Sequence, residues 1–206
     1  MKLQGPPEKS PEAKQLAINN GFSYRNALGE LIYAYVICCL NTGYAVCFLA
    51  LFLDAPHDEY YKALKQVCKY LHATKSWGIL YKRPEPPTDL PDVPFDSIAE
   101  DSSLPPFPVF EFDCLVGFLD AAHATDLKTR RSITEYLLIL CSAAIAWKSR
   151  IQPIVATSST EAEFYAGVTC AKAAKYLRYV LQELDALQEG PIPLYIDNEA
   201  AIAMTN

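Results

Sequence analysis

The chain has 206 residues, of which 51% are hydrophobic and 20% charged, and its formal net charge is −6. This composition is typical of one globular domain or two small ones, and the negative charge argues against nucleic acid as a partner. The charge is uneven, because residues 84–113 carry eight acidic groups and no basic group. If that segment is a linker, the average charge says little about any binding surface.

Cysteine usage and the first residues exclude further classes of protein. The seven cysteines form no C-x-x-C pair and have no set of histidine partners. Their number is odd, so we interpret them as reduced, mostly buried thiols of an intracellular protein rather than as a zinc site or a disulfide framework. The segment MKLQGPPEKSPEAKQ is polar and has no apolar stretch, so it is not a secretory signal peptide.

The first part of the chain is predicted to be a flexible N-terminus over residues 1–22, followed by a helical region over residues 23–83. Leu31 to Leu53 carry no charge over 23 residues, which is long enough to cross a bilayer. However, Asn41-Thr42-Gly43 divides this stretch into two runs of about ten residues, each of which suits a buried helix. We therefore expect two buried helices, with a membrane span as the alternative.

Residues 54–74 have the pattern of an amphipathic helix. Its apolar face is predicted to hold Tyr60, Leu64, Val67 and Leu71, which follow helical spacing. Three lysines, at positions 62, 65 and 69, fall on the opposite face. This lysine face is either an ordinary solvated surface or a contact to a phosphate backbone.

Residues 84–110 hold eight of the fifteen prolines and are predicted to be a linker or an ordered, extended loop. A second domain follows over residues 111–206. We expect a strand ending at Asp120, a hairpin with its turn near Ser142, a further strand over 152–159 and a long helix. A short strand ending at Asp197 and the start of another helix complete it. Counting the first strand and the hairpin before the long helix, the order βββαβα predicts an α/β domain with a mixed sheet.

Three carboxylates of this domain are candidates for a metal site. Asp120 and Asp197 each end a predicted strand, although such aspartates also serve as turn formers and helix caps. In the long helix, Glu163 lies at the edge of the predicted buried stripe, whereas Glu161 points toward solvent. Ser158 and Glu161 have the spacing of a capping box, which explains Glu161 structurally. The predicted buried stripe consists of Ala166, Cys170, Ala173, Leu177, Leu181 and Leu184.

Carboxylates gathered at strand ends are a common way to bind divalent metal. Mg²⁺ prefers hard oxygen ligands and uses few protein carboxylates. Two such ions about 4 Å apart can promote hydrolysis of a phosphodiester. Asp120, Glu163 and Asp197 therefore predict a magnesium-dependent site, if the fold brings them together.

Several motifs in order resemble one known family. The motifs that carry the resemblance are SSTEAEFYA followed by PLYIDNEAAIA, together with LVGFLDAA, RRSITEYLLIL and AIAWKSRIQPIVATSS. Through them, the second domain resembles the ribonuclease H domain of copia-type retrotransposon polyproteins. Upstream, ALGELIYAY and GYAVCFLALFLDAPHDEYYKALKQVCKYLHATKSWGILY resemble the end of the reverse transcriptase region. The resemblance covers about residues 20–83 and 112–206. It implies a ribonuclease H-like mixed sheet, here truncated, preceded by a helical segment like the thumb or connection of a reverse transcriptase.

The resemblance also implies an activity and its partners. The family hydrolyses the RNA strand of RNA–DNA hybrids with two Mg²⁺ ions, for which Mn²⁺ can substitute. Its carboxylates fall on Asp120, which would bind both ions, and on Glu163 and Asp197, which would each bind one. The expected partners are an RNA–DNA hybrid and the rest of the polyprotein, with no membrane. We expect the protein in the cytoplasm, within a virus-like particle, or in the nucleus. We do not expect it to be secreted.

Basic residues flank the predicted site and are expected to bind the hybrid, unless they are ordinary surface charge. They are Lys128, Arg130, Arg131, Lys148 and Arg150.

The chain departs from the family in ways that bear on activity. The family has a fourth catalytic carboxylate well beyond the position of Asp197, whereas this sequence ends at Asn206. An Asp and a Trp that follow the first catalytic aspartate of the family are replaced by Ala122 and His123. The polymerase aspartates of the family lie upstream of this sequence, so we expect no DNA polymerisation. The alternative to a ribonuclease H is therefore a catalytically inactive remnant that acts as a binding module.

Overall fold

The computed structural model describes residues 5–7, 10–81, 114–186 and 188–204. The Pro-rich segment over residues 84–110, predicted as a linker, lies outside the described residues. The described residues form two regions with separate hydrophobic cores. We refer to residues 10–81 as the helical region and to residues 114–204 as the sheet region.

The helical region contains four α-helices and one short 3₁₀ helix, which are α1 (Pro11–Asn20), α2 (Tyr24–Ile37), the 3₁₀ helix (Leu40–Thr42), α3 (Gly43–Ala50) and α4 (Asp58–Ala73). Helix α1 lies in the segment that we predicted to be flexible, so that prediction is wrong for residues 11–20. The Ser10 side chain caps this helix by accepting a hydrogen bond from the Ala13 amide at 3.1 Å. Gly21, with φ of 83°, ends it.

The uncharged stretch Leu31–Leu53 folds as predicted into two helices, because the chain turns between the end of α2 and the start of α3. The helices are not buried all round as we expected, since Tyr33, Val36 and Ile37 are exposed. Among the described residues, no helix combines the length and the apolar composition that crossing a bilayer requires. The two helices instead contribute to the core of the helical region. This core contains Tyr24, Leu28, Leu31, Val46, Leu49, Tyr61 and Leu64.

Helix α4 is amphipathic as predicted and ends at Ala73, one residue before the predicted end, although it begins at Asp58 rather than at Asp54. Tyr61 and Leu64 are its buried residues, while Tyr60 packs partly buried beside them. The lysine face is not uniform. Lys65 is half-buried and donates a hydrogen bond to Asn20 Oδ1 at 2.9 Å, so this lysine has a structural role.

The sheet region is built on a mixed four-stranded sheet with the order β3-β2-β1-β4. Its strands are β1 (Val116–Ala122), β2 (Ile133–Leu140), β3 (Ala143–Ile151) and β4 (Leu194–Tyr195). Strands β1, β2 and β3 pair antiparallel, and β4 pairs parallel to β1. The predicted hairpin is confirmed, and its turn contains Cys141 and Ser142, both with positive φ.

Two strand predictions need correction. Asp120 does not end β1, because the strand continues through Ala122 in register with β2. Residues 152–159 do not form a strand. There the Gln152 amide donates to the Ser132 carbonyl at 2.8 Å, and Pro153, which has no amide hydrogen, follows immediately. The chain then runs irregularly to the start of the long helix.

The long helix α5 (Ser159–Glu183) packs against β1 and β2 and covers one face of the sheet. Helix α6 (Glu199–Ala203) follows β4, so the order βββαβα is confirmed. The predicted buried stripe is wrong at its end. Leu184 follows the last residue of the helix as its C-cap and is 68% exposed, whereas Leu181, one turn earlier, is in the core.

The two regions contact each other at the edge strand β3. The Trp147 indole Nε1 donates a hydrogen bond to the Tyr35 carbonyl at 2.9 Å, and the Ser149 amide donates to the Tyr35 hydroxyl. The Tyr81 hydroxyl donates to the Ala144 carbonyl at 2.8 Å. Helices α2 and α3 therefore lie against the sheet near the middle of β3.

The cysteines are all free thiols, but they are not mostly buried as we predicted. Cys170 is the buried one, in the core beneath α5, whereas Cys38 and Cys68 are exposed. Cys38 directly follows α2, where the chain turns toward α3. Its exposure results from its place in this turn, although cysteine is a hydrophobic residue.

Candidate metal centre

Three carboxylates from three separate elements meet at one end of the sheet. Asp120 lies on β1, Glu163 in the first turns of α5, and Asp197 two residues beyond β4. One oxygen of each carboxylate lies within 4.8 Å of the corresponding oxygen of the other two. They meet because β1 and β4 are parallel neighbours, so that residues near their carboxyl ends lie at the same edge of the sheet.

A backbone hydrogen bond holds the Asp120 carboxylate, and Asp197 directly precedes the cap of α6. The Ala121 amide donates a hydrogen bond to Asp120 Oδ1 at 2.6 Å. The next residue after Asp197 is Asn198, whose side chain caps α6 by accepting from the Ala201 amide at 3.0 Å. Asp120 and Asp197 are exposed, whereas Glu163 is buried. The cluster is therefore open to solvent on the side of the two aspartates.

Glu163 is the carboxylate whose ionised form is most disfavoured by this arrangement. Its side chain is 6% exposed, and its Oε2 atom has no hydrogen-bond partner among the described residues. Burial, and next the negative charge of Asp120, raise the pKa of Glu163 to about 7, and Asp197 adds to this effect. A buried carboxylate beside two others is unfavourable unless a cation compensates it.

The neighbouring Glu161 has a different environment, as its position on the helix predicted. It accepts hydrogen bonds from the Thr157 amide and hydroxyl, both at 2.7 Å, and these lower its pKa. The Ser158 hydroxyl accepts from the Glu161 amide at 3.1 Å, which completes the helix cap. Glu161 therefore stabilises the start of α5, and Glu163 alone of the two faces the aspartates.

The residues of the cluster fit a hard divalent cation. Every donor is a carboxylate oxygen, which suits Mg²⁺ or Mn²⁺ and not zinc, for which nitrogen and sulfur ligands are usual. The orphaned Oε2 atom of Glu163 is a buried acceptor that a cation would satisfy. That these three residues bind metal stays a prediction, and their geometry is compatible with it.

Comparison with known proteins identifies the family. The chain is 30% identical over 182 residues to the retrovirus-related Pol polyprotein from transposon TNT 1-94 of Nicotiana tabacum, covering 88% of this chain and 12% of that polyprotein. It is 28% identical over 178 residues to the Pol polyprotein from transposon RE2 of Arabidopsis thaliana, covering 86% of this chain and 10% of that one. The chain belongs to the copia-type retrotransposon Pol polyproteins.

The chain thus spans about a tenth of the length of these Pol polyproteins. It is also 30% identical over 154 residues to the secreted RxLR effector protein 161 of Plasmopara viticola, covering 75% of this chain and 90% of that protein. No family model and no solved structure matches the chain.

One acidic residue of this Pol polyprotein segment lies near the cluster but was missed in the sequence. Glu135 is the direct cross-strand partner of Asp120, so both side chains lie on the same face of the sheet. The Ser149 hydroxyl donates to Glu135 Oε1 at 2.6 Å. Burial, then the charge of Asp120, raise the pKa of Glu135, although Ser149 opposes this. The pair depends on the register between β1 and β2, which the predicted hairpin of β2 and β3 does not set.

The five basic residues predicted to bind nucleic acid separate into two groups. Lys128 and Arg130 lie exposed in the loop between β1 and β2. Arg131, Lys148 and Arg150 instead line one cavity at the edge of the sheet. The structure therefore brings three of the five together and leaves two apart from them.

His123 follows β1 in an exposed loop, with its Nε2 atom 3.2 Å from the Ala156 carbonyl. This contact ties the loop to the segment before α5. His123 is not a member of the carboxylate cluster.

Proposed function

We propose that this segment of the Pol polyprotein is a ribonuclease H that hydrolyses the RNA strand of RNA–DNA hybrids with Mg²⁺ or Mn²⁺. In this proposal the sheet region is a ribonuclease H-like domain and the helical region is the end of the reverse transcriptase. The observation that carries the proposal is the meeting of Asp120, Glu163 and Asp197 around a buried carboxylate oxygen that lacks a partner.

Two further observations support it. The relatives named Pol polyproteins cover most of the chain, and therefore both regions of it. The sheet has the order β3-β2-β1-β4 with α5 crossing from β3 to β4, which brings the end of β1 beside the end of β4. The proposal places the intact protein in the cytoplasm or the nucleus.

The residues of the cluster would each contribute to binding the cation and the substrate. Mg²⁺ at this site would supply positive charge to the scissile phosphate and to the attacking water. Asp120 lies on a strand paired on both sides, and its carboxylate accepts a hydrogen bond from the Ala121 amide. Glu163 contributes a buried oxygen and Asp197 an exposed one, which leaves the solvent side open for a phosphate. No side chain is required as a nucleophile.

The second candidate function is an inactive remnant that binds a partner without cutting it. One observation favours it: among the described residues the cluster holds three carboxylates, whereas four are expected from the family. Glu135 is not a member of the cluster, although it is the cross-strand partner of Asp120.

Cleavage of a labelled RNA–DNA hybrid, measured in Mg²⁺ and in Mn²⁺, decides between these functions. We expect cutting by the unaltered chain and a loss of at least about 100-fold in Asp120→Asn and in Glu163→Gln, since each removes a charged group that acts in the transition state. Glu161→Gln is the matched control, because it makes the same change two residues away, and it is expected to cut normally. A folded chain that cuts in neither metal would contradict the proposal and favour the remnant.

A further inference from the structure

Two adjacent cysteines meet at the end of helix α2. Cys38 and Cys39 directly follow this helix, and their Sγ atoms are 3.6 Å apart. Both are free thiols, of which Cys38 is exposed and Cys39 partly buried. In an extended chain, successive side chains point to opposite sides, which keeps the sulfur atoms of adjacent cysteines apart. Here the bend after α2 directs both side chains to the same side.

Hydrogen bonds hold the backbone of this bend on both sides of the Cys38–Cys39 peptide. The Cys38 and Cys39 amides both donate to the Ala34 carbonyl, at 3.0 Å and 2.9 Å. The Cys39 carbonyl accepts from the Thr42 amide at 3.0 Å and from the Thr42 hydroxyl at 2.8 Å. Thr42 itself is buried, at 3% exposure. The fold therefore brings the two sulfur atoms into contact before any bond forms between them, as an efficient intramolecular reaction requires.

The two thiols differ in their access to solvent. Burial, and next the hydrogen bond to the Cys38 thiol, raise the pKa of Cys39. Cys39 is therefore the thiol that ionises less readily, and the exposed Cys38 is the one that a reagent in solution meets first. The pair lies between ALGELIYAY and the motif that begins at Gly43, so the motifs that carry the family resemblance give it no role.

We propose that Cys38 and Cys39 form a thiol modification site, which a small disulfide such as oxidised glutathione converts into a disulfide bond between the two residues. The Cys38 thiolate attacks one sulfur of oxidised glutathione, and the bond between the two glutathione sulfurs breaks. The Cys39 thiolate then attacks Cys38 Sγ, and the second glutathione leaves. The two cysteine protons end on the two glutathione thiols. The cysteine pair is oxidised by two electrons, and glutathione disulfide is reduced to two molecules of glutathione.

The geometry favours a bond that forms easily and is also reduced easily. The sulfur atoms need to approach from 3.6 Å to the length of a disulfide bond, about 2 Å. The Cα atoms of adjacent residues are about 3.8 Å apart, less than the roughly 4.4–6.8 Å that is usual in disulfides. The bond therefore closes a small ring and is expected to be labile, which suits a reversible modification better than a permanent cross-link.

Peptide mass spectrometry tests the proposal. The reduced, folded chain is treated with oxidised glutathione, and the remaining thiols are alkylated after denaturation. Chymotryptic cleavage after Tyr35 and Tyr44 gives a peptide whose only cysteines are Cys38 and Cys39. We expect this peptide to lose the mass of two hydrogen atoms and to carry neither glutathione nor an alkyl group. Dithiothreitol should restore both thiols.

Cys68 is the matched control within the same sample. It is exposed on α4, and no contact to another sulfur is found for it in the described ranges. It should therefore carry glutathione or an alkyl group and should not lose hydrogen. This difference would show that closure depends on the neighbouring thiol rather than on exposure alone.

Two variants separate the steps of the reaction. Cys39→Ser lacks the second thiol, so Cys38 should keep its glutathione. Cys38→Ser lacks the exposed thiol, so Cys39 should be modified less than Cys38 is in the first variant. If Cys38 of the unaltered chain also kept its glutathione, or if both thiols were recovered alkylated, the proposal would be overturned. A dimer linked through Cys38 on a non-reducing gel would overturn it as well, because the thiol would then have reacted between molecules.

Discussion

The two regions of the chain treat their buried polar groups differently. In the helical region, the buried Tyr24 hydroxyl donates to the Leu49 carbonyl at 2.9 Å, and Lys65 is bonded to Asn20. In the sheet region, Gln152 Oε1 and Glu163 Oε2 are buried without a partner among the described residues. An unpaired buried polar atom is unfavourable, and the sheet region has a third one, Arg178 Nε. The helical region is therefore arranged for packing, whereas the sheet region gives up stability, in part at the carboxylate cluster.

The largest expected effect concerns the two cores. Leu64→Ala in the helical region and Leu138→Ala in the sheet region each truncate a side chain that is at most 1% exposed. Each is expected to lower the free energy of unfolding by about 2–5 kcal/mol. Because Trp147 and Ser149 are bonded to Tyr35, we expect a single transition in urea by tryptophan fluorescence and by circular dichroism. Two separate transitions would show that the regions unfold independently.

The next effect is a pH dependence that belongs to the sheet region. The folded-state pKa of Glu163, about 7, is above its ordinary value of 4.5. Its contribution to stability is therefore fully present below about pH 4.5 and is lost as the pH rises to about 7. In EDTA at pH 8, Glu163→Gln should raise the free energy of unfolding on the order of 2 kcal/mol. Urea unfolding at pH 5 and pH 8 measures this, and Glu161→Gln should leave the pH dependence unchanged.

A smaller effect is expected from metal binding. At pH 8, Mg²⁺ at ten times its dissociation constant should stabilise the folded chain by about 1.4 kcal/mol, because only the folded state gathers the three carboxylates. Thermal unfolding with and without Mg²⁺ provides the measurement. An equal shift in Asp120→Asn would show that the ion binds elsewhere.

The smallest effect is expected to be the same in both regions. Ser10 caps α1 and Ser158 caps α5, each by accepting a backbone hydrogen bond at 3.1 Å. Ser10→Ala and Ser158→Ala should each cost about 1 kcal/mol of stability, measured by urea unfolding, while Ser→Asn at either position should cost less. If Ser158→Ala also abolished cutting of a hybrid while the chain stayed folded, the cap of α5 would have a role in the site beyond stability.

Much of the sheet region could be predicted because its patterns are local. Neighbouring residues alone determine three of these features. They are the alternation of apolar and polar residues in β1 and β2, the helical period of α5 and the outward position of Glu161. The strand predicted over residues 152–159 failed, because the apolar run Ile154-Val155 is found in irregular structure after Pro153. Helix α1 was missed although Ser10 and Gly21 mark both of its ends.

The cavity beside β3, lined by Arg131, Lys148 and Arg150, could not be predicted from local patterns. Its wall joins Tyr35 to residues more than a hundred positions later, and the hydrogen bond from Trp147 to Tyr35 spans 112 positions. Nothing in the sequence separates Lys148 and Arg150 from Lys128 and Arg130, because all four are basic residues that flank the predicted site. Only the packing of helix α2 against the edge strand distinguishes them.

The hydroxyl of Tyr35 has a further consequence for the behaviour of the chain in solution. Strand β3 is at the edge of the sheet, and its outward amides could pair with a strand of another molecule. The Ser149 amide is already bonded to Tyr35, and helix α3 lies against the same strand. The helical region thus protects the sheet from edge-to-edge aggregation. Tyr35→Phe would expose that amide, so sheet-driven self-association at high concentration should increase even where the fold is intact.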